Sequence, residues 1–181
     1  MTNYKIIFTG PVGAGKTTAI SSISDRSPVS TDKLATDMTR NIKKTTTVAC
    51  DYGTVRLNEK DRLHLYGTPG QQRFDFMWDI LTTGGIGLIL LLDNTRPDPF
   101  QDMEFFLEQF NDFINQTQIA IGVTQMDLNS TPCIDDYHKH LHSRGMTLPV
   151  FEVDARKQCD VSLLIKALLF SLDPGLVENH D

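Results

Sequence analysis

Eight residues near the start of the chain match a pattern that binds phosphate groups. The segment 10–17 reads GPVGAGKT and fits G-x-x-x-x-G-K-S/T at every fixed position. A short, mainly apolar run at 4–9 precedes it, and a helix-compatible stretch at 17–24 follows. In such a strand–loop–helix, the backbone N–H groups of the loop and the helix N-terminus surround phosphate oxygens. The alternative is a glycine-rich turn with a chance lysine. The pattern predicts binding of a nucleoside triphosphate.

The residues of this loop have separate expected roles. Lys16 is expected to bridge the β- and γ-phosphates, and the hydroxyl of Thr17 is expected to ligate Mg²⁺. The loop residues expected to contact the nucleotide are Gly10, Gly13, Ala14, Gly15, Lys16, Thr17 and Thr18.

Length and composition are those of a single domain spanning 1–181. With 40% hydrophobic residues, the chain can bury a core without disulfides or metal ions. Its three cysteines occur singly, as is typical of proteins of the reducing cytosol. The net charge of −6 argues against general binding to nucleic acid or anionic membranes. We see no signal peptide and no apolar stretch long enough to span a bilayer, so a cytoplasmic location is expected.

Strands and helices alternate along the chain. The hydrophobic pattern predicts strands at 4–9, 47–57, 61–67, 86–92, 118–124 and 148–152. It predicts helices at 16–24, 75–82, 100–114, 134–144 and 158–170. The polar turn at 58–60 should join the second and third strands into an antiparallel hairpin. The expected fold is α/β, a three-layer, doubly wound, six-stranded and mostly parallel sheet, with ligands at the carboxyl ends of its strands.

Later segments resemble, in the right order, the nucleotide-sensing segments of Ras-like small GTPases. The sequence GTPGQQRF at 67–74 resembles the switch II pattern D-x-x-G-Q-E-R-F, and the threonines at 45–47, followed by VACDY at 48–52, resemble switch I. The sequence TQMD at 124–127 resembles the guanine-reading pattern N/T-K/Q-x-D, and Asp154-Ala155-Arg156 matches the S-A-K position. The spelling T-P-G-Q is most similar to the bacterial MglA-type group, which includes members encoded beside Roadblock/LC7-domain proteins.

The resemblance implies the P-loop NTPase (small GTPase) fold and a role for each matched phosphate-side residue. Thr47 would ligate Mg²⁺ through its hydroxyl, together with Thr17, and would contact the γ-phosphate through its N–H. Gly70 would sense the same phosphate, and Gln71 would orient the attacking water. Gln71, Lys16 and Thr47 are therefore the expected catalytic residues. The alternatives are an ordinary strand threonine, a turn glycine and a solvated loop glutamine.

The same resemblance implies the residues that read the base. The carboxylate of Asp127 can accept hydrogen bonds from both N1–H and the exocyclic amine of guanine, a donor pair that adenine lacks. Thr124 would stabilise the loop, Gln125 would lay its aliphatic stem over the purine, and the segment 154–156 would offer a backbone N–H to the guanine oxygen. A surface aspartate that merely ends a strand is the alternative for Asp127.

Two positions depart from the Ras-like pattern. Gly67 replaces the aspartate that holds Mg²⁺ through a water in most relatives. The metal would then be held by Thr17, Thr47, phosphates and waters alone, or Asp93, after the strand 86–92, would supply the carboxylate. Val12 is bulkier than the glycine of Ras proteins at the same place. We therefore expect slow intrinsic hydrolysis, on the order of 10⁻⁴ to 10⁻² per second.

The expected function is a cytosolic switch that binds GTP with Mg²⁺, hydrolyses it slowly to GDP and phosphate, and signals to a protein effector. The resemblance suggests a Roadblock/LC7-domain protein as that partner. Two alternatives stay open: a P-loop ATPase or kinase, and a non-hydrolysing nucleotide-dependent scaffold, which Gly67 and Val12 favour. Arg40 or Arg73 could act as an arginine finger, or each could be a solvated loop charge.

One further expectation concerns a surface near switch II. The segment 73–81 carries more large apolar residues than one buried helix face can hold. Phe76 or Trp78 is therefore expected to belong to a nucleotide-dependent effector surface. The alternative is that both pack in the core.

Overall fold

The computed structural model describes residues 2–25, 50–70 and 76–172. The strands of this part are β1 Thr2–Thr9, β2 Asp51–Arg56, β3 Asp61–Gly67, β4 Gly87–Asp93, β5 Ile119–Thr124 and β6 Val150–Glu152. Its helices are α1 Lys16–Ile23, α2 Phe76–Thr82, α3 Pro99–Gln109, α4 Asn111–Gln116, α5 Ile134–Ser143 and α6 Gln158–Leu172.

Six strands form one sheet in the order β2-β3-β1-β4-β5-β6. Only β2 runs antiparallel to its neighbour β3, and every other pair is parallel. The predicted six-stranded, mostly parallel α/β sheet with one antiparallel hairpin is therefore confirmed. In that hairpin, Asp51 lies directly opposite Gly67.

Helices cover both faces of the sheet because its central strands are apolar on both sides. All residues of β4 and β5 are buried, as expected for strands inside a parallel sheet. Neighbouring residues of β1 point to opposite faces: Ile6 packs in a core cluster with residues of α1 and α6, and Ile7 packs in a second cluster with α2, α3 and α5. Three layers result.

The predicted helix at 100–114 is in fact two helices. α3 begins after Asp98, whose side chain accepts a hydrogen bond from the N–H of Gln101 at 2.9 Å, and it ends at Gln109, just before Phe110. Phe110 is buried and stacks on Trp78, so the chain turns around an anchored ring before α4 begins. The periodicity of apolar residues continued through this turn, which is why the pattern predicted one helix. The other predicted helices match within two residues at each end.

The predicted strand at 47–57 is observed from Asp51, and 47–49 lie outside the described residues. Within the described part of the chain, none of the helices is long and apolar enough to cross a bilayer.

Candidate functional site

The phosphate-loop pattern forms the connection between β1 and α1. Gly10 has a φ of 137°, and a Cβ atom placed there would lie 2.0 Å from the carbonyl oxygen of Leu91. Only glycine allows this loop to pass so close to β4. Gly15 precedes α1 with a left-handed φ of 89°. The loop is thus pressed against the carboxyl end of the sheet, where a doubly wound fold binds its ligands.

Lys16 is the buried cation of this loop. Its Nζ donates hydrogen bonds to the carbonyl oxygens of Gly10 at 2.8 Å and Pro11 at 2.7 Å. Burial lowers the pKa of Lys16 to about 8, an effect that the negative charge of Asp51 partly opposes. The ammonium group is therefore held inside the loop and is poorly solvated, which strengthens its attraction for an anion.

The hydroxyls of Thr17 and Thr18 lie at the exposed start of α1. Thr17 Oγ1 donates to Asp51 Oδ2 at 2.5 Å, although the two residues are 34 positions apart in the chain. Sequence reasoning quoted Asp51 only as part of the segment 48–52 and missed it as a site residue. The available signal was its place on a strand that pairs with the strand ending at Gly67.

The segment after β3 also reaches the phosphate loop. The backbone N–H of Thr68 donates to the carbonyl oxygen of Phe8 at 2.8 Å. A Cβ atom placed on Gly70 would lie 2.7 Å from the nitrogen of Val12 and 2.9 Å from Lys16 Nζ. Gly70 therefore lies against the loop and its lysine. Val12 itself is 57% exposed.

Several predicted residues fall outside the described part of the chain. They are Thr47, Gln71, Arg40 and Arg73, and the side chain of Phe76. Their predicted roles stay predictions.

The segment after β5 contacts the same loop from the other side. Thr124 Oγ1 lies 3.1 Å from the carbonyl oxygen of Ala14 and 3.0 Å from that of Leu92, and it donates toward these oxygens. Gln125 has a φ of 59°, and its Nε2 donates to the carbonyl oxygen of Gly13 at 3.1 Å. The two side chains join the 124–127 segment to the loop.

The segment 154–156 lies next to both the phosphate loop and the segment 124–127. The Cβ atom of Ala155 is 3.0 Å from the position that a Cβ on Gly15 would take. Arg156 donates from Nε to Asp154 Oδ1 at 2.8 Å, and its Nη2 lies 3.6 Å from Asp127 Oδ2. Hydrogen bonds from Arg156 lower the pKa of Asp154 to about 2. The side chain of Asp127 is 61% exposed, so its carboxylate is open to a ligand.

Asp93, considered above as the replacement for a carboxylate at position 67, lies beside the loop at Gly13 but is bonded to Thr95. Its Oδ1 accepts hydrogen bonds from the N–H of Thr95 at 2.8 Å and from its hydroxyl at 2.6 Å. Its Oδ2 lies 3.7 Å from where a Cβ on Gly13 would be. The carboxylate bonded to Thr17 is that of Asp51, not that of Asp93.

Trp78 does not form the expected exposed surface. It is only 4% exposed and packs against the rings of Phe105, Phe106 and Phe110. One face of α2 can bury Trp78, because α3 and the residue that follows it, Phe110, place these three rings beside the indole. Among the side chains of α2 that the structure describes, those of residues 77–82, the exposed large apolar one is that of Ile80, at 46%.

Comparison with a protein-family model decides the family. The family described as "conserved hypothetical ATP binding protein" matches residues 23–166. The chain belongs to this family. The matched region begins at the last residue of α1, so the phosphate loop at 10–17 precedes it.

The chain is also similar to individual proteins at low identity. It is 29% identical over 122 residues to the uncharacterized protein MJ1339 of Methanocaldococcus jannaschii, covering 64% of this chain and 71% of that protein. It is 26% identical over 141 residues to the mutual gliding-motility protein MglA of Myxococcus xanthus, covering 76% of this chain and 67% of that protein. It is 27% identical over 123 residues to the Ras-related protein RabC of Dictyostelium discoideum, covering 66% of this chain and 58% of that protein.

These similarities agree with the geometry. The relatives include Ras-related proteins and MglA, and the family is described as ATP binding. Together with the six-stranded sheet, they support a nucleotide-binding protein of the P-loop class with a small-GTPase-like fold.

Proposed function

We propose that this protein is a small GTP-binding switch that binds GTP with Mg²⁺, hydrolyses it slowly to GDP and phosphate, and signals to a protein effector. The observation that carries the proposal is the convergence of two chain segments, 124–127 and 154–156, on the phosphate loop. Thr124 bonds Ala14, Gln125 bonds Gly13, and Ala155 lies against Gly15. The base-reading and phosphate-binding segments are then adjacent, as one nucleotide requires.

Recognition of guanine rests on Asp127. Its exposed carboxylate offers two acceptor oxygens, which match the N1–H and amine donors of guanine. Nη2 of Arg156 lies 3.6 Å from Oδ2 of this carboxylate. A base that lacks this pair of donors would form fewer hydrogen bonds to the carboxylate and would bind less tightly.

The phosphate side rests on Lys16 and the start of α1. Lys16 would exchange its carbonyl partners, Gly10 and Pro11, for phosphate oxygens, to which it forms stronger charge-assisted bonds. Thr17 and Thr47 are the proposed hydroxyl ligands of Mg²⁺. When bound, Mg²⁺ would neutralise negative charge that develops on the phosphates during transfer.

Hydrolysis requires a positioned water. Gln71, the proposed positioning group, directly follows Gly70, which lies against Lys16. Phosphoryl transfer depends on such positioning more than on covalent chemistry. With Val12 in the loop, we propose a turnover on the order of 10⁻⁴ to 10⁻² per second without a partner.

A second candidate function is that of a P-loop ATPase or kinase. The description of the matching family, an ATP-binding protein, favours it. The third alternative, a scaffold that binds nucleotide without hydrolysing it, is favoured by Gly67 and Val12.

The finer classification follows from the motif resemblance. We propose an MglA-type GTPase acting in the cytoplasm, because position 68–71 reads TPGQ and MglA is among the similar proteins. A Roadblock/LC7-domain partner rests on that resemblance alone.

Competition binding and single-turnover assays test the proposal together. Purified protein loaded with fluorescent GDP is challenged with GTP and with ATP, each with Mg²⁺, and GTP is expected to displace it at much lower concentration. A preference for ATP would instead support the ATPase function. Release of phosphate from bound GTP in a single turnover separates the switch from the scaffold, which would release none.

A further inference from the structure

Gly67 lies directly opposite Asp51 in the β2–β3 hairpin. A Cβ atom placed on Gly67 would be 3.0 Å from the Cβ atom of Asp51 and 3.1 Å from its Oδ2. The space beside the end of β3 is therefore occupied by a carboxylate, and this carboxylate belongs to the neighbouring strand.

This carboxylate faces the phosphate loop. Asp51 Oδ2 accepts the hydrogen bond of the Thr17 hydroxyl at 2.5 Å. Its charge also acts on Lys16, the residue before Thr17. Asp51 thus lies beside both loop residues that the proposed function assigns to the phosphates and the metal.

We propose that Asp51 supplies to the nucleotide-bound Mg²⁺ the carboxylate that Gly67 cannot supply. The inference rests on the proposed function, because it concerns the metal of that same site. Carboxylate and hydroxyl oxygens are the protein ligands that Mg²⁺ accepts, directly or through water. Asp51 and Thr17 provide one of each within hydrogen-bonding distance of each other.

Carboxylates at positions 51 and 67 would compete for the same space. An aspartate at 67 would crowd Asp51 and place two negative charges side by side, which raises the free energy of the folded state. Removing the side chain at 51 removes that crowding, and the next nearest atom is then Cδ1 of Ile20, 3.2 Å from the place that the new Cβ would take. A carboxylate moved from 51 to 67 should therefore serve the same metal.

The first test measures the release of fluorescent GDP as Mg²⁺ is titrated from excess chelator upward. Asp51→Asn retains an oxygen that can accept from Thr17 but loses the charge. The Mg²⁺ concentration that half-maximally slows release should rise by about 10–100-fold, the usual cost of losing a partner of a bound metal. Release in chelator should stay close to that of the wild type. Asp135→Asn, at an exposed aspartate of α5, is the control and should respond to Mg²⁺ like the wild type.

The outcomes separate the inference from the function on which it rests. If the wild type retains no guanine nucleotide with or without Mg²⁺, both are wrong. If the wild type retains it and Asp51→Asn keeps the wild-type Mg²⁺ dependence, only the role of Asp51 is overturned. Faster release by the same factor in chelator and in Mg²⁺ would mean that Asp51 merely supports the loop, and this too overturns the inference.

The second test exchanges the two residues. The double variant Asp51→Gly, Gly67→Asp should recover most of the Mg²⁺ response lost in Asp51→Asn, whereas Gly67→Asp alone should unfold at a lower temperature than the wild type. A folded double variant that responds to Mg²⁺ no better than Asp51→Asn would overturn the interchange of the two positions. Thermal unfolding of each variant without nucleotide identifies those that are folded.

Discussion

The indole nitrogen of Trp78 lies 3.4 Å from the carbonyl oxygen of Pro69, toward which its N–H donates. Trp78 is the single tryptophan of the chain, and Pro69 precedes Gly70, which lies against Lys16. A buried fluorophore therefore contacts the segment proposed to sense the γ-phosphate.

Trp78 fluorescence should differ between the GDP-bound protein and the protein bound to a non-hydrolysable GTP analogue. A change at Gly70 would alter the polar contact of the indole at Pro69. Acrylamide quenching should stay weak in both forms, because the side chain is only 4% exposed. Identical emission in the two forms would contradict the proposed coupling between Trp78 and the segment at Gly70. Strong quenching in one form would mean that Trp78 is exposed to solvent in that form. Lys16→Ala with the same additions should show no change.

Lys16→Ala should abolish measurable GTP binding while leaving the fold intact. The ammonium group would form charge-assisted bonds to two phosphates, each worth about 1.5–3 kcal/mol. Isothermal titration calorimetry measures the loss, and circular dichroism checks the fold. Lys60→Ala, which removes an exposed lysine of the β2–β3 turn, is the control and should bind normally. Micromolar binding by Lys16→Ala would contradict the assignment.

The contribution of Lys16 to nucleotide affinity should not change with pH below about pH 8, where the side chain is charged, and should fall above it. Burial lowers the pKa of Lys16 to about 8 in the folded protein, and bound phosphate favours the charged form and so raises it again. Above pH 8, binding must therefore take up a proton, and affinity should fall by up to about tenfold per pH unit. Fluorescent GDP titrations between pH 6.5 and 9 measure this. Lys16→Arg carries a charge that does not titrate in this range and should lack the step.

Asp127→Asn should change the nucleotide preference of the protein from GTP to XTP. The new amide presents a donor where guanine also donates, so GTP binding should weaken by about 3 kcal/mol or more. Xanthine has a carbonyl in place of the amine and can accept from the amide. Competition titrations with GTP, XTP and ATP measure the exchange. Asp135→Asn, an exposed aspartate of α5, is the control. Loss of GTP binding without a gain for XTP would remove the guanine assignment and favour the ATPase function.

Hydrophobic periodicity and the phosphate-loop motif were enough to predict most of the architecture. The apolar runs of β4 and β5 mark buried parallel strands, and the polar turn at 58–60 marks the hairpin, because these signals depend on residues close together in the chain. The glycine pattern of the phosphate loop is also a local signal, because it lies within eight consecutive residues, 10–17. The motifs also predicted which segments would lie at the strand ends, and the structure brings 124–127 and 154–156 to the loop.

Contacts between distant segments were decided only by the tertiary structure. Whether Trp78 is buried depends on the phenylalanines of α3, and the pKa of Lys16 depends on how deeply the loop is covered. The placement of Asp51 opposite Gly67 depends on the register of two strands, which shifts every cross-strand neighbour if it slips by one residue. The sequence therefore showed that a carboxylate is missing at position 67. Only the pairing of β2 with β3, which no local pattern encodes, brought Asp51 opposite that position.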